Sequence, residues 1–210
     1  MEDNKTEVHH VELSKWAELV GKGTQNAVLG LSEFVGLDIT ITALDLKIIP
    51  VSAAAELVGG AENEVVVTYV GITGGATGHI MLVYPKPIAF GLVDMLMGTE
   101  IGSTQELGDM EASALSEMGN ITGTFFLNSM ADNTGMRLMP TPPTVMVDMA
   151  GAILDAALAE IMMEREEMFA METVFASGQR EISGTLLVLP TAEFMDVMVE
   201  HNKAFARVQW

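Results

Sequence analysis

Cysteine is absent from the 210-residue chain, which excludes a disulfide framework, a thiolate metal site and a cysteine nucleophile, and fits a reducing cytosol. Basic residues are scarce: 10 Lys and Arg stand against 29 Asp and Glu, a net charge of −19. Such a chain repels a phosphate backbone and has no basic strip to follow one, so nucleic acid is not the expected partner. Every apolar run is broken well short of a membrane span, and the opening MEDNKTEVHHVE lacks the basic-then-apolar order of a secretory signal. Metal ligands do not group either, since His9, His10, His79 and His201 form no recognisable site. Gly59-Gly60 and Gly74-Gly75 punctuate loops; neither opens a helix with a following Lys, as a phosphate cradle requires. The expectation is a cytoplasmic protein that meets no membrane and carries no metal. Its acid excess suits a high-salt cytoplasm, where screening relieves the repulsion, and equally an ordinary acidic protein.

With 49% apolar residues the chain is long enough to bury a substantial core. Its organisation emerges from an internal repeat at an offset of 99 residues. Ser14, Glu18 and Gly21 precede Gly36, and Ser113, Glu117 and Asn120 precede Gly135 with the same spacing. Literal identities are few, but the helical periodicity agrees. Leu13, Trp16, Leu19, Val20, Gly23, Ala27 and Leu31 share one helix face, and Ala112, Leu115, Met118, Gly119, Thr122, Phe126 and Met130 share the equivalent one. Gly23, Gly30 and Gly119 on buried faces each cost ~1 kcal/mol of helix propensity, a cost offset when another backbone approaches closely. The two helices are therefore expected to pack tightly.

Each helix ends at a glycine suited to a C-cap and is followed by an extended stretch, Leu37 to Val51 and Met136 to Val147. Further strands are expected at Glu64 to Ile72, Gly78 to Tyr84, Met168 to Phe175 and Glu181 to Leu189, and helices at Pro87 to Met97, Met149 to Glu164 and Ala192 to Phe205. The polar stretch Gly98 to Gly108 joins the halves. The predicted fold is α/β (α+β): a flexible N-terminus (1–10), then a single pseudo-two-fold domain (11–210) of two repeats, about 11–97 and 109–205, with long helices packed on a shared, mainly antiparallel sheet.

On the second long helix Ser113, Glu117, Asn120 and Thr124 fall within about 60° of one another, opposite the apolar face. Any surface helix shows polar residues there. Asn, however, is a poor helix former, and a Glu–Asn pair at this spacing contributes at most ~0.5 kcal/mol, so the pair has no strong stability rationale.

The spacing Ser113-x3-Glu117-x2-Asn120, followed after 22 residues by Pro143, resembles the signature of the CheC/CheX/FliY family of response-regulator phosphatases. The phrases SEMGNITGTF, LMPTPPTVMVDMAGAIL and LKIIPVS are similar to that family too, over roughly residues 11 to 205. The resemblance implies hydrolysis of the aspartyl phosphate of CheY-like regulators, with Glu117 and Asn120 as the catalytic pair and Ser113 and Pro143 as supporting motif. It implies a degenerate first site: Glu18 is retained, but Gly21 stands where the Asn belongs and Leu44 where the Pro belongs. A carboxamide is no general base near neutral pH, yet it can hold a water in line with phosphorus, worth on the order of 10²-fold or more. Glycine has no side chain for that task. By the same resemblance Glu117 pairs with the regulator's lysine, Mg is supplied by the phosphorylated regulator and not by this chain, and the segment Val147 to Glu164 binds the receptor deamidase CheD, with Asp148 as the charged contact. A core helix with solvated acids accounts for that segment equally well. Two alternatives stand beside the phosphatase: a non-catalytic CheD-binding adaptor, or a flagellar-switch component similar to the middle domain of FliM.

Overall fold

The computed structural model describes residues 2–164, 167–177 and 180–190. In chain order these form α1 (Glu2–Val35), β1 (Ile39–Pro50), a 3-10 helix (Val51–Val58), β2 (Glu64–Gly74), β3 (Gly78–Pro85), α2 (Lys86–Met97), α3 (Asp109–Thr134), β4 (Leu138–Pro140), β5 (Thr144–Met149), α4 (Ala150–Glu164), β6 (Glu167–Ser177) and β7 (Arg180–Pro190). The expected helix Ala192 to Phe205 lies outside the described residues. Helix α1 starts at Glu2, so residues 2–10, expected as a flexible terminus, are its first turns; no Gly or Pro precedes Gly21 to stop a helix from extending backwards.

One sheet holds all seven described strands, in the order β1-β6-β7-β3-β2-β4, with β5 also on β2. Every pairing is antiparallel. With β4 and β5 counted as one interrupted strand, exchanging β1 with β5, β2 with β6 and β3 with β7 turns the order into its own reverse. The extended stretch expected from Met136 to Val147 holds two strands, parted at Thr141-Pro142-Pro143, because proline has no N–H to give to a ladder.

The unbroken run VVVTYVGI in β2 is explained by cover on both faces of the sheet. Val66, Val70, Ile80, Leu82 and Val188 share a core with Val20, Ala27, Leu115, Met118 and Phe126 of α1 and α3. Val65, Val67, Met81 and Leu187 share a second core with Val51 and Val58 of the 3-10 helix and Ile153 and Leu158 of α4. Each such side chain contributes about 1.5–3 kcal/mol when fully buried. Helices α1 and α3 meet at small residues, as expected: a Cβ on Gly23 would lie 2.7 Å from the Phe126 ring, and one on Gly30 would collide with the Phe125 ring.

The join between α2 and α3 is anchored by a residue that periodicity does not single out. Asp94 is fully buried, and its Oδ1 accepts hydrogen bonds from Thr104 Oγ1 (2.6 Å), Thr104 N (2.9 Å) and Ser103 Oγ (2.9 Å), while Oδ2 accepts one from Gly102 N (2.6 Å). These donors, the Thr104 hydroxyl foremost, hold its carboxyl well below the usual carboxylate range.

Candidate functional site on helix α3

Helix α3 begins where Glu111 Oε2 accepts the Gly108 N–H at 3.0 Å and Asp109 and Glu111 lie in the positive first turn. It ends at Gly135, whose φ of +70° favours glycine. Between them the outward stripe is as the spacing predicts. Ser113, Glu117 and Asn120 are exposed, and Leu115, Met118 and Gly119 are buried beneath them. The Ser113 hydroxyl donates to the Asp109 carbonyl at 2.7 Å, so it serves the helix itself. Neither Glu117 nor Asn120 has a hydrogen-bond or ion-pair partner among the described residues. One turn apart, with Cβ atoms about 5–6 Å from each other, they offer a charged acceptor beside an amide that both donates and accepts.

Pro143 is brought to this helix from a distant part of the chain. A Cβ at Gly119 would lie 3.5 Å from Pro143 Cβ and would run into Thr68 Cγ2 of β2. The Pro143 loop is in turn tied to β2, since the Gly71 N–H donates to Thr141 Oγ1 and the Thr141 N–H donates to the Gly71 carbonyl, each at 2.9 Å. The four motif residues therefore stand on or against two successive turns of α3, the second of which rests on β2 at Gly119.

On α1 the equivalent face differs in two ways. Gly21 opens to empty space, with no atom within 4 Å of the place a Cβ would take. Glu18 Oε1 accepts a hydrogen bond from Lys22 Nζ at 2.7 Å, which lowers its pKa. That partner was readable from the sequence, as a Glu–Lys pair four residues apart on a helix.

Asp148 stands apart from the α3 motif, exposed near the end of β5, where its Oδ1 accepts the Met149 N–H at 2.8 Å. It lines a groove of about 740 Å³ between the sheet and α4, together with Tyr69, His79, Met146, Ala152 and Ala156. The Tyr69 hydroxyl and His79 Nδ1 are 2.7 Å apart on the groove wall, a pairing that sequence reading did not anticipate because the two residues sit on neighbouring strands. Among the described residues no group of three or more His, Asp or Glu is arranged to hold a metal ion, and no helix is long and apolar enough to cross a membrane.

Residues 110–147, which span nearly all of α3, β4, the Pro143 loop and most of β5, match the model of the CheC-like family. The chain is 27% identical over 172 residues to the CheY-P phosphatase CheC of Bacillus subtilis (strain 168), covering 80% of this chain and 82% of that protein. Among solved structures it resembles FliY of Thermotoga maritima, with a TM-score of 0.72, 21% identity and coverage of 90% and 94%. It also resembles the CheX–CheY–BeF3–Mg complex of Borrelia burgdorferi, with a TM-score of 0.51, 18% identity and coverage of 80% and 96%. The family match across the helix that carries the motif, the identity to CheC over four fifths of both chains and the shared fold make this chain similar to CheC-like proteins.

Proposed function

We propose that the chain is a chemotaxis phosphatase that hydrolyses the aspartyl phosphate of a CheY-like response regulator, through one working site on α3. Carrying the reading is the exposure of Glu117 and Asn120 side by side on a helix whose backbone is pinned to the sheet at Gly119. The Glu117 carboxylate takes the regulator's lysine and sets the register of docking. The Asn120 carboxamide accepts a hydrogen bond from a water and holds it in line with the phosphorus, leaving the loose transition state little else to require of the protein. The magnesium that neutralises phosphoryl charge belongs to the regulator. In α1 the same device is lost, because Gly21 has no amide and Glu18 is already engaged by Lys22. The working and degenerate sites fall in two repeats of a single domain, about 11–97 and 109–205, acting in the cytoplasm, where such regulators are found. Incubation with a phosphorylated regulator tests the proposal: the wild type should speed loss of phosphate and Asn120→Ala should not, whereas equal rates would dispose of it.

A second reading is favoured by the groove between the sheet and α4. There Asp148 is the charged contact for CheD, and the chain acts as a CheD-binding adaptor whether or not it turns over phosphate. Undiminished capture of CheD by Asp148→Lys would remove that contact.

A further inference from the structure

We propose that Gly119 and Thr68 form a positioning pair that sets how far Asn120 and Glu117 stand out from the sheet; the inference rests on the phosphatase reading of α3. Thr68 lies mid-strand in β2, held on one side by Leu82 of β3 and on the other by Val145 of β5, so it has no freedom to retreat. It is fully buried, and a Cβ on Gly119 would overlap its Cγ2 methyl. One turn further, Gly123 repeats the arrangement over Val70, where a Cβ would lie 3.3 Å from Cγ1. Glycines four apart on the helix thus ride over residues two apart on one face of the strand, and the α3 backbone sits directly on β2.

The Thr68 hydroxyl has no hydrogen-bond partner among the described residues, although it is buried. A hydroxyl without a partner opposes folding, so the side chain is not explained by its polar group; what it supplies at this position is a branched methyl under Gly119. The pair sits at the level of the motif, because Gly119 separates Glu117 from Asn120 along the helix and Pro143 packs beside it. Any side chain larger than hydrogen at position 119 must lift this turn, and a displacement of about 1 Å in a water-positioning group is enough to cost on the order of 10²-fold in rate.

The test is a steady-state assay on a phosphorylated cognate regulator, with thermal melting of each variant alongside. Gly119→Ala is expected to lower kcat/KM at least tenfold. Adding Thr68→Ala, which removes the obstructing methyl, is expected to restore the rate to within about threefold of wild type while the melting temperature stays below it, since a buried branched side chain has been truncated. Recovery of the rate while the melting temperature stays below wild type separates positioning from a stability defect, in which rate and melting temperature would move together. If Gly119→Ala does not fold, Thr68→Ser tests the same contact: loss of the methyl alone should lower kcat with an unchanged circular dichroism spectrum, and wild-type kcat would overturn the inference. Wild-type rates in folded Gly119→Ala, or no recovery in the double variant, would also overturn it. A wild-type chain that fails to accelerate dephosphorylation at all would instead remove the phosphatase reading, and this inference with it.

Discussion

Lys22 Nζ lies 2.7 Å from Glu18 Oε1 on α1, whereas the residue four beyond Glu117 on α3 is Ile121. The two helices therefore present their acids in different states, one already paired within its own helix and the other with no partner among the described residues. On the proposed phosphatase reading, the empty space over Gly21 and the paired Glu18 are two departures of the first half from the α3 motif, and Leu44 at the place of Pro143 is a third.

The first two of these departures should be reversible. Gly21→Asn combined with Lys22→Ile supplies the missing amide, frees Glu18 and meets no steric obstacle at position 21. Dephosphorylation per molecule is expected to rise toward about twice the wild-type rate as a second site is added. Gly21→Asn should also stabilise α1 slightly, by about 0.3 kcal/mol of helix propensity. An unchanged rate in a folded variant would mean that the first half lacks more than these two groups.

Asn120→Asp separates orientation from charge. It keeps the size of the carboxamide but removes its donors and sets a carboxylate beside the phosphoryl group. A fall of about 10²-fold or more in rate is expected, with melting unchanged because the side chain is exposed. Retention of activity would point to general-base chemistry in place of orientation.

Gly30→Ala reports on the helix crossing. The substitution gains ~1 kcal/mol of propensity in isolation, but its methyl would collide with the Phe125 ring. Urea melting should show a net loss of about 1–2 kcal/mol from overpacking, and Phe125→Ala in the same chain should relieve part of it.

Acid stability isolates Asp94. The folded-state carboxyl is held well below its unfolded value of about 3.9, so its stabilising contribution is complete above that pH and is lost as pH falls toward the depressed folded value. Asp94→Asn turns two amide protons toward groups that are themselves donors, and it should melt below wild type at pH 7. The gap between the two melting temperatures should narrow as pH is lowered from 4 to 3. A constant gap would show that charge on Asp94 is not what holds the join.

Asp148→Lys should abolish CheD capture in a pull-down while leaving phosphatase rates at the wild-type level, because the groove it lines is formed by β2, β3, β5 and α4 and does not include the exposed face of α3. Loss of both activities together would mean that the two surfaces are coupled.

Local pattern made the long helices and their outward stripes legible. A 3.6-residue period needs only the order of residues, and it placed Leu115, Met118 and Gly119 inward and Glu117 and Asn120 outward as observed. The glycine ends of α1 and α3 were equally legible, since Gly36 and Gly135 adopt a positive φ that other residues resist. Hidden were the break between β4 and β5 at Pro142-Pro143, although the prolines announced it, and the role of Asp94, whose donors lie in an aperiodic loop five to ten residues on.

The order of residues by itself determined which side chains face outward on α3, because the path of a helix is set by bonds between near neighbours. Only the tertiary structure decided what stands beneath and beside them: Thr68 from the penultimate strand of the sheet, Pro143 from a loop tied to Gly71, Phe125 laid across Gly30 of another helix. Those meetings depend on strand order and on the depth at which α3 settles on β2, which arise when two apolar faces of one sheet are covered at once and the chain takes the packing that satisfies both.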